Sequence, residues 1–167
     1  MHPRTRIHGR MLLAAGLLLA GLCAAPSTGL AYDMTGAGGK LGIISPEDLD
    51  NTVMIGGHLE FENDSRFHLV PNLMYWRVDR TSDVNPNFDV YYHFNSQDRT
   101  SPYLGGGLGL NVTNSDLPDR SNTSLGANVI GGVRFPGASN HYFVEGRFTA
   151  SDVSQVAVVG GITFNTH

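Results

Sequence analysis

The sequence predicts an all-β chain, eight antiparallel strands closing into an up-and-down barrel, and three observations carry that prediction. From Lys40 to Phe164, apolar and polar residues alternate with period two. Turn-rich links divide this stretch into eight segments of about ten residues each. No segment beyond Ala31 keeps a helical periodicity for more than one turn. The even strand count lets the first and last strands pair antiparallel, which removes both edges of the sheet.

A targeting segment precedes the barrel. Arg4, Arg6 and Arg10 form a positive stretch, and Met11 to Leu22 is an uncharged apolar run. That run is shorter than the roughly 20 residues a spanning helix needs, but it suits a secretory signal. Gly29-Leu30-Ala31 offers a small-x-small cleavage site, so residues 1–31 are expected to be a signal peptide and 32–167 the barrel domain. Cys23 follows Leu22, where a lipidation signal carries a small residue. Cleavage after Ala31 removes that cysteine and leaves neither a disulfide nor a thiolate metal site.

All fifteen Asp and Glu lie beyond residue 31, against eight Lys and Arg, a balance of −7 with His neutral. This excludes the basic footprint of a nucleic-acid binder. Lys40 is the one lysine in the chain, an unusual economy for a domain whose outer surface faces water.

The strands follow in order. Residues 33–39 read as a flexible lead-in, and Leu41 and Ile43 mark one face of a weak first strand. The second runs Thr52 to Phe61, with Val53, Ile55, Leu59 and Phe61 opposite Met54, His58 and Glu60. In the third, Phe67, Leu69, Leu73 and Tyr75 alternate with His68, Val70, Asn72, Met74 and Trp76; Pro71 there removes a ladder donor and predicts a bulge or a weakened pairing. The fourth sets Phe88, Val90, Tyr92 and Phe94 against Asp89, Tyr91 and His93, and the fifth sets Leu104, Leu108, Leu110 and Val112 against Tyr103, three glycines and Asn111. The sixth opposes Leu125, Val129, Val133 and Phe135 to Asn128, Ile130 and Arg134. The seventh opposes Tyr142, Val144 and Phe148 to Phe143, Glu145 and Arg147, and the last opposes Val156, Val158, Ile162 and Phe164 to Ala157, Val159 and Thr163. Segments 44–51, 78–87, 113–123 and 149–153 are expected to be outward loops, and 62–66, 95–102 and 136–141 periplasmic turns, with both termini on the periplasmic side.

Alternation alone does not say which face points inward. The polar face is rich in Gly, Asn, Thr and His with isolated charges, which suits a narrow lumen better than a wet surface. His58, Glu60, Asp89, His93, Arg134, Glu145 and Arg147 are therefore expected to form a polar network inside the barrel. Aromatic residues mark the ends of the apolar face: Phe61, Phe67, Phe94, Phe135, Tyr142 and Phe164 at one rim, and Tyr75, Phe88 and Phe148 at the other. Two such girdles around an aliphatic waist match a lipid-facing band. The predicted fold is accordingly a transmembrane barrel, its apolar face outward.

Three segments carry a family resemblance: Tyr103-Leu-Gly-Gly-Gly-Leu-Gly-Leu110, Tyr142-Phe-Val-Glu-Gly-Arg-Phe148 and Val158-Val-Gly-Gly-Ile-Thr-Phe164. From about Gly38 to Phe164 the chain resembles the small outer-membrane β-barrel domain family, OmpX-like and OmpA-barrel-like, of the porin-family outer-membrane proteins. The resemblance implies an outer-membrane location, contact with membrane lipid and lipopolysaccharide, and handling by the barrel assembly machinery during biogenesis.

No catalytic set, metal site or cofactor is assigned from the sequence. His58, His68 and His93 fall on the inward face near Glu60 and Asp89, but no nucleophile accompanies them, and mutual satisfaction of buried polar groups accounts for them. Ser139-Asn-His141 lies in a predicted turn. Asp79, Asp83, Asp116 and Asp119 are placed in outward loops without calcium-loop spacing. An eight-stranded barrel is just wide enough for its own side chains to fill. A structural or surface-interaction role without catalysis is the main expectation, the surface ligand unspecified. A narrow channel and a soluble periplasmic barrel holding a small apolar ligand are the alternatives, and a lipid A-modifying enzyme is a third.

Overall fold

A computed structural model describes residues 32–63, 66–94, 100–116 and 119–166. The expected signal peptide lies outside the described residues. Eight strands follow one another: β1 (Asp33–Pro46), β2 (Thr52–Glu62), β3 (Phe67–Val78), β4 (Thr81–His93), β5 (Ser101–Asp116), β6 (Asp119–Pro136), β7 (Asn140–Ala150) and β8 (Gln155–Asn165). Each pairs antiparallel with its neighbours in sequence, and β1 closes onto β8 from Gly36↔Asn165 to Pro46↔Gln155. No helix among the described residues is long and apolar enough to cross a membrane. The crossing elements are strands.

Beyond a register shift between Met34 and Gly36 in β1, period two is obeyed, and it turns the chain apolar side out. Leu41, Ile43, Val53, Ile55, Leu104, Leu108, Leu125, Val129, Val144, Val156 and Val158 are all exposed, Leu125 at 66%. Lys40, His58, Glu60, Asp89, Glu145 and Arg147 are buried on the opposite face. A soluble barrel built around an apolar ligand needs the reverse arrangement.

Several boundaries differ from the sequence expectation. Residues 33–39 are not a lead-in but the first half of β1. Their glycines fit a crowded wall: a Cβ on Gly38 would strike the carbonyl of Ile162 and approach His58 Cε1 at 2.6 Å. The expected outward loop 78–87 shrinks to Asp79 and Arg80, because Thr81–Asn87 continues β4 in register with β3. Asp79 takes a left-handed φ of 50°, which a short polar side chain tolerates. The expected loop 113–123 is likewise mostly strand, with Asp116 pairing Asp119. Polar runs such as Thr81-Ser-Asp-Val-Asn-Pro-Asn87 read as loop because Val84 is their one aliphatic residue among turn-forming Asp, Asn and Pro. They are strand because every second residue faces the lumen, where Asp83, Asn85 and Asn87 are buried. Asp83 is therefore not a loop carboxylate. Ile44 and His141, also assigned to links, are buried inward-facing strand residues.

Proline acts as expected at Pro71, by interruption rather than bulging. The β2–β3 register runs to His58↔Asn72 and resumes unshifted at Phe61↔Leu69, leaving Leu59 and Glu60 opposite Val70 and Pro71 without ladder pairs. Pro86 does the same between β4 and β5, where pairing skips from Val84↔Val112 to Asn87↔Gly109. Both prolines face outward, so lost ladder bonds are the main consequence.

Gly107 is a direct test of how tightly the wall is filled. A Cβ there would meet Asp89 Oδ1 and come within 2.8 Å of Asp89 Cα. Gly107→Ala is expected to destabilise the barrel by about 1–3 kcal/mol through overpacking, read as a lowered urea midpoint in detergent micelles. Gly106→Ala on the opposite face, where the nearest atom is 3.5 Å away, is expected to shift it far less.

Candidate functional site

The lumen divides into layers. Toward the end remote from the termini, Ile44, Met54, Met74, Trp76, Ala157 and Val159 make an apolar plug. Across from it, Asn85 Nδ2 donates to Asp83 and to Asn111 Oδ1, and Thr113 Oγ1 donates to Asp83. The alternation of the sequence already put Met54, Met74, Trp76, Ala157 and Val159 on this inner face; the structure adds that they pack together on the β8–β3 side.

The middle layer is an ion-pair network that sums to zero. Lys40 Nζ lies 3.1 Å from Glu145 Oε1, and Arg147 Nη2 lies 2.7 Å from Asp89 Oδ2 and 3.4 Å from Glu145 Oε1. Tyr103 and Tyr91 donate to Glu145 Oε2 at 3.0 and 3.2 Å, while Asn72 and Asn128 donate to the two oxygens of Asp89 at 2.7 and 2.9 Å. The Tyr91 and Tyr103 rings stack at 4.9 Å, and Lys40 sits 5.4 Å from the Phe143 ring centre. Each carboxylate therefore receives both a cation and neutral donors, the condition under which buried ion pairs are tolerated.

The third layer lies at the end where β1 begins and β8 finishes. Glu60 Oε2 lies 3.0 Å from His141 Nε2, and His68 Nδ1 lies 2.9 Å from Glu62 and 3.6 Å from Glu60. Arg134 Nη1 lies 3.3 Å from Glu62 and 3.7 Å from Glu60. His68 and His93 stack with ring centres 4.1 Å apart, and a ligand atom from each of Glu60, His68 and His93 falls within 4.8 Å of the other two. His58 stands between the layers, its Nε2 2.8 Å from Thr163 Oγ1 and its ring edge-on to Phe143.

The seven lumen residues expected from the sequence thus occupy two separate clusters. Asp89, Glu145 and Arg147 belong to the middle one and Glu60, His93 and Arg134 to the terminal one, with His58 between. Lys40, Glu62, Tyr91, Tyr103 and His141 were missed. Period two already put Tyr91 and Tyr103 on the inward face, but their role as donors to Glu145 needs the cross-barrel distances. Lys40 stands at the head of the periodic stretch, with only Leu41 and Ile43 to mark a face, whereas the structure places it in the middle of β1 and buried.

The nine aromatic residues expected at the two rims all lie on the outer face, with Phe61 only partly exposed. Phe67 packs on Tyr92 at 5.2 Å and Tyr92 on Phe94 at 5.2 Å, which adds a ring to that rim. Phe88 does not open β4 but stands well inside it, opposite Pro71 and Leu108.

Open space inside is scarce. A cavity of about 20 Å³ lies between the middle and terminal layers, lined by Lys40, His58, Glu60, Tyr91, His93 and Arg134 among others, which is room for about one water. A vestibule of about 240 Å³ opens at the terminal rim beside Thr35, Glu62, Arg134, Asn165 and Thr166.

No protein-family model and no curated protein matches the sequence. Among solved structures, the barrel is similar to Neisserial surface protein A (16% identity, TM-score 0.67, covering 83% of this chain and 100% of that one). It is also similar to the N-terminal β-barrel domain of Pseudomonas aeruginosa OprF (15%, 0.64, 81% and 100%) and to the outer membrane enzyme PagL (12%, 0.52, 75% and 97%). The fold is that of a small outer-membrane β-barrel. At these identities the likeness concerns architecture, and function must come from the sites.

The middle layer makes a measurable prediction. Glu145→Gln leaves Lys40 and Arg147 sharing one carboxylate in a sealed lumen, and is expected to destabilise the barrel by about 3–5 kcal/mol in urea unfolding from lipid or detergent. Adding Lys40→Met to the same chain is expected to recover part of that loss, because the pair is then removed together.

Proposed function

We propose that this chain is an integral outer-membrane protein with a structural or surface-interaction role, without catalysis and without an open pore. The observation that carries the reading is the inversion of the barrel: an aliphatic and aromatic exterior around an interior of paired charges. Such an exterior is stable in contact with lipid acyl chains, and the aromatic rims suit the two interfaces. Outer-membrane lipid and lipopolysaccharide are then the immediate partners, and the barrel assembly machinery the partner in biogenesis.

In this reading the strand ends at Asp33, Glu62, Phe67, His93, Ser101, Pro136, Asn140 and Asn165 face the periplasm. The remote ends of β5 and β6 rise outside, since these strands have 16 and 18 residues where a tilted crossing needs about 9–11. Their tips (Thr113, Asn114, Ser115, Ser121, Asn122, Thr123) are polar and partly or fully exposed. From Asp119 to Gly126, β6 has no ladder partner on the β7 side. This ribbon is the surface most available to an external partner.

Catalysis finds little support. A hydroxyl does stand beside a lumen histidine, since Ser101 Oγ lies 3.4 Å from His93 Nδ1. The other nitrogen, Nε2, has no hydrogen-bond partner, so no carboxylate orients that ring as in a hydrolytic triad. The narrow-channel alternative is opposed by the three filled layers.

Cell fractionation with gel mobility before and after boiling tests the location, and planar bilayers test the lumen. Recovery in the outer membrane with a mobility shift on boiling, and bilayers without discrete conductance steps, are expected. A soluble periplasmic protein would overturn the membrane reading, and steady single-channel steps would overturn the closed lumen.

A further inference from the structure

We infer that the terminal end of the lumen is a divalent transition-metal site, with Glu60, His68 and His93 as ligands and Zn²⁺ as the ion it suits. The three residues come from three adjacent strands, β2, β3 and β4, and their candidate ligand atoms already lie within 4.8 Å of one another. Two imidazoles and a carboxylate form a donor set typical of zinc. Bond lengths of about 2.0–2.2 Å would draw the three atoms roughly 1 Å closer, a movement side-chain torsions supply.

Two features point to a ligand rather than to a closed hydrogen-bond network. His93 Nε2 is buried and has no hydrogen-bond partner, while its Nδ1 is occupied by Ser101 at 3.4 Å. That division of labour fixes the ring and leaves a lone pair facing the lumen, as metal-ligating histidines are commonly arranged. Glu60 is held in turn by His141 Nε2 at 3.0 Å on its second oxygen, which leaves Oε1 toward His68. His141 is thus a positioning residue.

Charge and access are compatible with a cation. Glu60 and Glu62 outweigh Arg134 among the permanent charges of this layer. Arg134 is the opposing element, 3.7 Å from Glu60, but its side chain is 22% exposed and already reaches Glu62 at 3.3 Å. The guanidinium can stay with Glu62 at the rim when a metal takes Glu60. The vestibule at the terminal rim is lined by Glu62 and Arg134, the two residues that stand next to Glu60 and His68. The site also spans the gap where β2–β3 pairing lapses between His58↔Asn72 and Phe61↔Leu69, so an ion there would tie strands that the ladder leaves loose.

The test is zinc competition against a chromophoric chelator, using the full chain folded in detergent micelles, with Co²⁺ absorption as a second readout. One Zn²⁺ per chain is expected, with a Co²⁺ spectrum of nitrogen and oxygen ligands and a zinc-dependent rise in the unfolding temperature. His93→Gln and Glu60→Gln are each expected to weaken binding by at least about 10-fold and to abolish the thermal shift, while keeping the mobility difference between boiled and unboiled samples. His68→Gln serves as a third ligand variant where one of these fails to fold. Folded protein that takes up no zinc at saturating excess would overturn the site. So would ligand variants that bind zinc as the parent does, which would place the metal on an exposed histidine instead.

Discussion

A cylinder of eight strands encloses a space too narrow for bulk water, and a charge inside is costly unless counter-charges or hydrogen-bond donors meet it there. This constraint organises the molecule. Lys40 and Arg147 answer Glu145 and Asp89, from strands β1, β7 and β4. No two of these strands are neighbours in the closed sheet, so Lys40–Glu145 and Arg147–Asp89 bridge the interior, while Arg147–Glu145 runs along β7. Tyrosine and asparagine donors fill the remaining lone pairs. Removing one member leaves an uncompensated charge in a low dielectric, which is why the network acts as a unit.

The glycines are the counterpart of these long side chains. Gly105, Gly107 and Gly109 line the inner face of β5 directly beside Tyr91, Asp89 and Asn87. A wall without side chains on one strand makes room for large polar ones on the next. The same exchange occurs at Gly38 beside His58 and at Gly132 beside Tyr103. Outside, the requirement is opposite, and the aliphatic residues of the same strands stand unpacked because lipid is to cover them.

The terminal layer shows how much could have been read from the sequence with one more step. Each aromatic residue at that rim is next in sequence to an inward polar residue: Glu60-Phe61, Phe67-His68, His93-Phe94, Arg134-Phe135, His141-Tyr142 and Thr163-Phe164. Neighbours along a strand share a height and point to opposite faces. A ring of aromatics outside therefore implies a ring of polar residues inside at the same level. His141 escaped because its residue was assigned to a turn, and the three-way approach of Glu60, His68 and His93 depends on rotamers that no pattern encodes.

What the sequence determined by itself was the strand count, the face each residue takes and the direction in which the barrel is turned. These follow from a period of two and from the sorting of apolar and polar groups between phases, both local properties. Strand ends were legible only where apolar residues marked them. Polar stretches such as 81–87 and glycine stretches such as 33–39 needed their partners, because a ladder extends wherever a neighbour offers register, whatever the hydrophobicity. Only the tertiary structure decided which inward charges meet. Barrel closure fixes the stagger between strands, and that stagger, invisible to any single segment, sets Lys40 against Glu145, Arg147 against Asp89, and His93 beside Glu60.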